Sequence, residues 1–385
     1  MRSSLVSFVP VLAFLSLVVS SSCRSLCRDD ARAWDDEVEV RFHNGLALDE
    51  GRECEPDRAA AARWYRSAAE EGHAPAQTNL GLLYYTGSGV VQSFREAERW
   101  YRRAAERGYA PAQSNLGVML LLRQCERDDV EEGQHWLRLA AGSGHIRAAS
   151  LLGAALEKGI GSDVDLAGAA HWYRIAAEHG DAQAQYSLSL LYFRGAGVPA
   201  DDNTAQEWLR RAADQGLSDA QFLMGWLRAG GESAAVAAQW ITLAAEQDLP
   251  VACATLARMH LTGHGVVRDD ARAAQWMLRA AEGKLPEAQY DLGLMYLKGI
   301  GFDHDPQMAM TWIQRAAEQG LADAQVKLGM MYEHGSGTPA DPILACLWYS
   351  LSAAQGSRAA ISERDRIRTH LTSAQHAAVD ELLSH

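Results

Sequence analysis

The sequence predicts an all-α fold, a solenoid of about nine helix-turn-helix repeats of 36 residues with capping helices at the C-terminus. Three observations carry this reading: tryptophans in one register, small and apolar residues at fixed distances from them, and a helix-start residue before each. Trp64, Trp100, Trp136, Trp172, Trp208, Trp240, Trp276, Trp312 and Trp348 are spaced by 36 residues in seven of eight intervals and by 32 in the other. Of the 11 tryptophans only Trp34 and Trp226 fall outside the series. Self-similarity at such a period marks stacked helical units.

The first helix of each unit, helix A, is anchored by Ala76, Ala112, Ala148, Ala184, Ala220, Ala252, Ala288 and Ala324. Four residues on stands Leu80, Leu116, Leu152, Leu188, Met224, Leu256, Leu292 or Leu328, and a residue often Tyr follows at eight. Positions 0, 4 and 8 share one helical face. After the Leu comes a small residue, Gly81, Gly117, Gly153, Ser189, Gly225, Ala257, Gly293 or Gly329. Glycine inside a helix costs about 1 kcal/mol against alanine, so its recurrence at one phase predicts a close helix–helix approach. The same pattern predicts that Trp fills the gap beside these small residues.

A glycine loop then stops helix A, as in 87–91, 159–161, 195–198, 263–267, 299–301 and 335–338. Its first glycine stands where a helix end needs a left-handed residue. Seven residues before each Trp stands Asp57, Ser93, Asp129, Asp165, Asp201, Ser233, Asp269, Asp305 or Asp341. Asp and Ser accept from the free amides of a helix start, so helix B begins there. It carries the Trp and then an alanine pair such as Ala104-Ala105 or Ala316-Ala317, and usually ends in Gly. One hairpin cannot bury its own apolar stripes; stacking buries them. The short repeat lacks four loop residues, so Gly230-Gly231 must turn tightly there, and the loop after Leu120 has lost both glycines.

The unit A-x-x-x-L-G-x-x-Y-x-x-G-x-G-V-x-x-D-x-x-x-A-x-x-W-Y-x-x-A-A-x-x-G strongly resembles the Sel-one-like repeat, a relative of the tetratricopeptide repeat, most clearly in Ala76–Gly108, Ala184–Gly216 and Ala288–Gly320. The resemblance covers about residues 40–356, with a degenerate first copy that keeps Gly45, Gly51, Asp57, Ala61 and Trp64. It implies a right-handed superhelix and a non-enzymatic scaffold or adaptor, with exported bacterial relatives acting in the cell envelope. By analogy with tetratricopeptide repeats, residues two, six, nine and ten places after the helix A alanine line a concave groove that holds a peptide or protein segment. Here the second places include Tyr186, Phe222, Ala254 and Tyr290, the sixth Trp226 and Arg258, and the ninth Phe193, with Arg194 and Arg228 nearby. Aromatic and Arg residues dominate interface hot spots. Partner binding through Tyr186, Phe193, Arg194, Phe222, Trp226, Arg258 and Tyr290 is one reading of this cluster; filling of the space left by the short loop is the other.

The remaining segments divide as 1–22, a signal peptide; 23–39, an entry segment; and 357–385, a helical cap with Ala360 at the repeat phase and a last helix from about Ser373 to Leu383. Residues 3–22 are uncharged after Arg2, and Ser20-Ser21-Ser22 offers a small-residue cleavage site. The chain is therefore expected to be exported, to the periplasm, the outer membrane or the outside. Cys23 follows directly and resembles a lipoprotein acceptor, although Ser20 stands where Leu is usual; lipidation and simple cleavage both remain open. The other cysteines, Cys27, Cys54, Cys125, Cys253 and Cys346, are irregularly spaced and define no disulfide framework, and Cys253 and Cys346 are expected as buried thiols.

Composition excludes other classes. A chain 48% hydrophobic with 10 Pro is neither disordered nor collagen-like. With 36 Lys+Arg against 49 Asp+Glu and a net charge of −13, it lacks the positive balance of a phosphate-neutralising nucleic-acid binder. No HExxH, GxSxG or Walker loop occurs, and no strand precedes the GxG pairs. No cofactor or metal is expected; His304 between Asp303 and Asp305 is read as a polar loop. The alternatives to a scaffold are an immunity-type inhibitor of a secreted toxin and a β-lactam-binding or hydrolysing enzyme.

Overall fold

A computed structural model describes residues 38–51, 55–124, 129–229 and 234–383. Among these the only regular elements are twenty α-helices, in two compact units, one ending at His179 and the other beginning at Gly180. The signal peptide, Cys23, Cys27, Trp34, Cys54, Cys125, Gly230-Gly231 and Ser233 lie outside the described residues.

The first unit holds α1 (Val38–Glu50), α2 (Arg58–Glu70), α3 (Ala74–Thr86), α4 (Phe94–Glu106), α5 (Ala110–Leu121), α6 (Val130–Gly142), α7 (Ile146–Lys158) and α8 (Leu166–Glu178). The second holds α9 (Ala182–Arg194), α10 (Asp202–Asp214), α11 (Ser218–Arg228), α12 (Ala234–Glu246), α13 (Pro250–Thr262), α14 (Asp270–Glu282), α15 (Pro286–Lys298), α16 (Pro306–Glu318), α17 (Ala322–His334), α18 (Pro342–Ala354), α19 (Arg358–Arg368) and α20 (Ser373–Leu383). Through α18, odd-numbered helices are the A helices and even-numbered ones the B helices. Within each unit a hairpin stacks on its neighbour, as expected of an α-solenoid.

The helix starts follow the expected chemistry. Asp57, Ser93, Asp129, Asp165, Asp201, Asp269, Asp305 and Asp341 each accept from a backbone amide two or three residues on. The loop glycines Gly87, Gly159, Gly195, Gly263, Gly299 and Gly335 are left-handed at the ends of A helices. The second loop glycine has a separate task. A Cβ on Gly301 would lie 2.2 Å from the Asp270 carbonyl oxygen, and one on Gly337 2.2 Å from that of Pro306. Only glycine lets the loop rest on the first turn of the preceding B helix.

Packing corrects one expectation. The small helix A residue faces the side chain after Trp, not Trp itself. A Cβ on Gly81, Gly153 or Gly329 would meet Tyr101, Tyr173 or Tyr349 at 2.7–2.8 Å, and one on Gly293 would meet Ile313 at 2.5 Å. One residue along a helix is a rotation of about 100°, enough to change the facing partner. Trp instead joins the cluster made by the preceding B helix and the intervening A helix. Trp312 on α16 packs with Met277 and Ala280 of α14 and with Ala288 and Leu292 of α15. Its outer face carries an arginine three residues on: Arg315 lies 4.5 Å from the Trp312 ring, Arg211 4.6 Å from Trp208 and Arg279 4.6 Å from Trp276.

Cys253 and Cys346 are buried free thiols, as expected from their small-residue places. At the C-terminal end Ala360 and Val379 are fully buried, while Arg366 pairs with Glu333 and Glu363 and Arg368 with Asp380.

Candidate partner-binding face

The seven singled-out residues all lie in the second unit: Tyr186, Phe193 and Arg194 on α9, Phe222 and Trp226 on α11, Arg258 on α13 and Tyr290 on α15. Helical phase brings them to corresponding places on successive A helices, but their side chains do not share one pocket. Tyr186 and Phe193 are half-buried against Leu209, Ala212, Ala220 and Met224, beside Leu223. Phe222 packs on the next cluster, with Ile241, Ala252 and Leu256. Tyr290 packs on the one formed by Ala309, Ile313, Ala324 and Leu328.

Trp226 differs from these rings. It is 61% exposed, and its neighbour Leu227 is 43% exposed. Two large apolar side chains thus stand open at the C-terminal end of α11. The ring at the sixth place therefore does not fill the core, whereas the rings at the second and ninth places partly do. Sequence reasoning passed over Leu227; the signal available was its adjacency to the one helix A tryptophan.

The charged groups around these rings are mixed. Arg258 pairs with Asp291 at 3.4 Å across α13 and α15. Burial pushes the Asp291 carboxyl up, Arg258 holds it back, and Glu287 pushes it further. Arg228 donates to the Met224 sulfur at 3.8 Å. Burial raises the Tyr186 hydroxyl, as does Asp219, while Arg194 opposes them. The same holds for Tyr290, raised by burial and then by Asp323 and Asp291. The acids Asp219, Glu287 and Asp323 occupy the place just before the helix A alanine, a recurrence the sequence shows but which draws no attention without the tyrosines beside it.

His304 donates Nδ1–H to the Leu297 carbonyl at 2.9 Å, and Asp305 caps α16. Both side chains are engaged in holding their loop. Among the described residues no group of three or more His, Cys, Asp or Glu is placed to hold a metal ion, and no helix is long and apolar enough to cross a membrane.

The Sel1 repeat matches the chain nine times, at residues 42–73, 74–109, 110–145, 146–181, 182–217, 218–249, 250–285, 286–321 and 322–357. The chain belongs to the Sel1 repeat family. Sel1 repeat proteins are protein-interaction scaffolds and generally not enzymes. A Sel1 repeat protein from Oxalobacter formigenes is similar in structure at a TM-score of 0.64, with 31% identity over 87% of this chain and 95% of that one. A protective antigen of uropathogenic Escherichia coli, displaying an SLR fold, is similar at a TM-score of 0.53, with 29% identity over 90% of this chain and 83% of that one. An uncharacterized protein of Neisseria meningitidis is 47% identical over 53 residues; the match spans 14% of this Sel1 repeat chain and only 11% of that protein.

Proposed function

We propose that this Sel1 repeat protein is an exported, non-enzymatic scaffold that holds a peptide or protein segment on the helix A face around Trp226. The observation that carries the reading is the exposure of Trp226 beside Leu227, on a face whose other rings are half-buried. Burying apolar surface is worth about 25 cal/mol per Å², so an open Trp–Leu pair is a ready anchor. Tryptophan is also the residue most enriched where binding energy concentrates. Arg194 and the Arg258–Asp291 pair supply a polar rim. Export rests on the uncharged stretch 3–22 behind Arg2, and attachment to a membrane on Cys23.

The test is capture with the full chain as bait from envelope extract, beside Trp226→Ala and Phe193→Ala. The expected result is a partner retained by the parent and lost from Trp226→Ala at unchanged melting temperature. Equal capture by parent and variant overturns the reading. A captured secreted toxin would assign the immunity-type role to the same face. Turnover of a β-lactam by the purified protein would replace the scaffold reading with the enzymatic one.

A further inference from the structure

The chain is acidic overall, yet residues 55–108 carry eight Arg against seven Asp and Glu. Part of this positive charge converges. Arg66 and Glu70 on α2, Tyr84 on α3, and Glu96, Arg99, Trp100 and Arg103 on α4 line a cavity of about 460 Å³. That is within the range of about 300–1,000 Å³ in which small ligands and side chains are held.

We infer that this cavity of the first unit is a docking site for an acidic peptide segment of a partner protein, whose carboxylates Arg66 and Arg103 receive. It stands apart from the Trp226 face and does not depend on it. Two aromatic rings hold the guanidinium groups in place. Arg103 lies 4.8 Å and Arg99 5.8 Å from the Trp100 ring centroid. Arg66 lies 6.0 Å from the Tyr84 ring and donates to its hydroxyl. Arg103 laid on the Trp100 ring keeps its N–H fork at the ring edge, and Arg66, tethered at the Tyr84 hydroxyl, keeps its remaining N–H groups free, so each can meet a carboxylate.

The pairing of the neighbouring charges isolates these two. Arg102 is paired with Glu98 and Glu132, Arg58 with Asp49, and Arg99 lies 3.6 Å from Glu96. Among the described residues no carboxylate lies within ion-pair distance of Arg66 or Arg103, although Glu70 is one turn from Arg66 on the same helix. Fixed, unpaired guanidinium groups are the form in which a protein presents anion recognition. Glu70 and Glu96 select the class of anion. They repel a polymer charged on every unit, and Glu70 can accept from the backbone N–H groups of a peptide whose carboxylates are spaced.

Fluorescence polarisation with a labelled Glu-Gly-Glu-Gly-Glu peptide and the full-length protein tests the assignment. Binding should weaken with added salt. It should fall about tenfold or more in Arg66→Gln and in Arg103→Gln. Arg103→Lys, which keeps the charge but loses the fork, should fall between. Trp226→Ala should bind as the parent does, and melting temperatures should match throughout. No binding, binding by either Gln variant equal to that of the parent, or tighter binding of a uronate oligosaccharide of equal charge overturns the proposal.

Discussion

Gln319 donates its Nε2–H to Oε1 of Gln289 at 2.7 Å, while Gln289 donates its own Nε2–H to the Ala281 carbonyl at 3.1 Å. The buried amide of α15 therefore closes the open end of α14 and joins the end of α16 to it. The arrangement repeats. Gln325 donates to Ala317 and accepts from Gln355, and Gln221 donates to Ala213 and accepts from Gln247. The last carbonyls of a helix lack the amides that continue it; here each accepts from its own turn, as Ala281 does from Lys284 at 3.0 Å, and the glutamine of the neighbouring hairpin adds a second donor.

Gln289→Ala should therefore destabilise more than its size suggests. It removes two hydrogen bonds, leaving the Ala281 carbonyl only its turn bond from the Lys284 amide at 3.0 Å and Gln319 Nε2 only the Arg315 carbonyl at 3.3 Å, at a cost of about 1 kcal/mol for each bond lost. Urea unfolding of parent and variant measures it. An unchanged midpoint would show that water replaces the lost bonds at no cost and that the amide ladder adds nothing to stability. Cys253 holds the same place in its repeat, with Sγ 3.4 Å from the Ala245 carbonyl, a weaker donor in the same role.

Gly329→Ala should also destabilise, for a steric reason. Its Cβ would lie 2.7 Å from the Tyr349 ring, which is fully buried. Overpacking of this kind costs about 1–3 kcal/mol. The sequence contains its own remedy: Ala257 stands at the glycine place where Met277 stands at the tyrosine place. Tyr349→Met should then recover part of the loss in the Gly329→Ala background, measured as coupling in a double-mutant cycle. Additive effects would refute the contact.

Three of these features differ in how visible they are to sequence reading. The Asp and Ser before each B helix are legible because the residue type and its local role coincide: Asp305 accepts from the amides of Gln307 and Met308. The recurrent helix A glycine is legible as a close approach, but its partner is not. The position after Trp varies among Tyr, Leu, Ile and Met, so it has no identity to catch the eye, only size. The buried glutamines are illegible for the opposite reason. Gln is mostly exposed, and only the fold brings the end of the preceding helix to it. At the candidate site, Trp226 stands out by falling outside the register, whereas its exposure follows from packing. The Arg66–Arg103 cavity draws on three helices and leaves no linear motif.

Acid should weaken the first unit partly through Glu132. Its carboxyl is held below the ordinary value of 4.5, chiefly by Arg102 and also by the Trp136 indole, against desolvation. Trp136 Nε1 donates to it at 2.9 Å. A lowered folded value means the charged form favours the fold. The contribution is full above the unfolded value and is lost as pH falls through the folded one. Glu132→Gln should thus lower the melting temperature at pH 7 and lose that effect at low pH. The size should be about 1 kcal/mol or less, since the pair is partly solvated. A deficit that persists undiminished in acid would assign the effect to packing instead.

The two tryptophan populations should respond differently to truncation. Trp312 is 6% exposed and packs among Met277, Ala280, Ala288 and Leu292. Trp312→Ala removes that side chain from the core and should cost about 3–5 kcal/mol. Trp226 is 61% exposed, so Trp226→Ala gives up little buried surface and should change stability by about 0.5 kcal/mol or less. Thermal unfolding of the two variants beside the parent makes the comparison directly. If Trp226→Ala unfolds as early as Trp312→Ala, its ring is core, and the helix A face loses its anchor. If it melts with the parent, the open indole does not serve folding, and its loss can be used to test binding without a stability change.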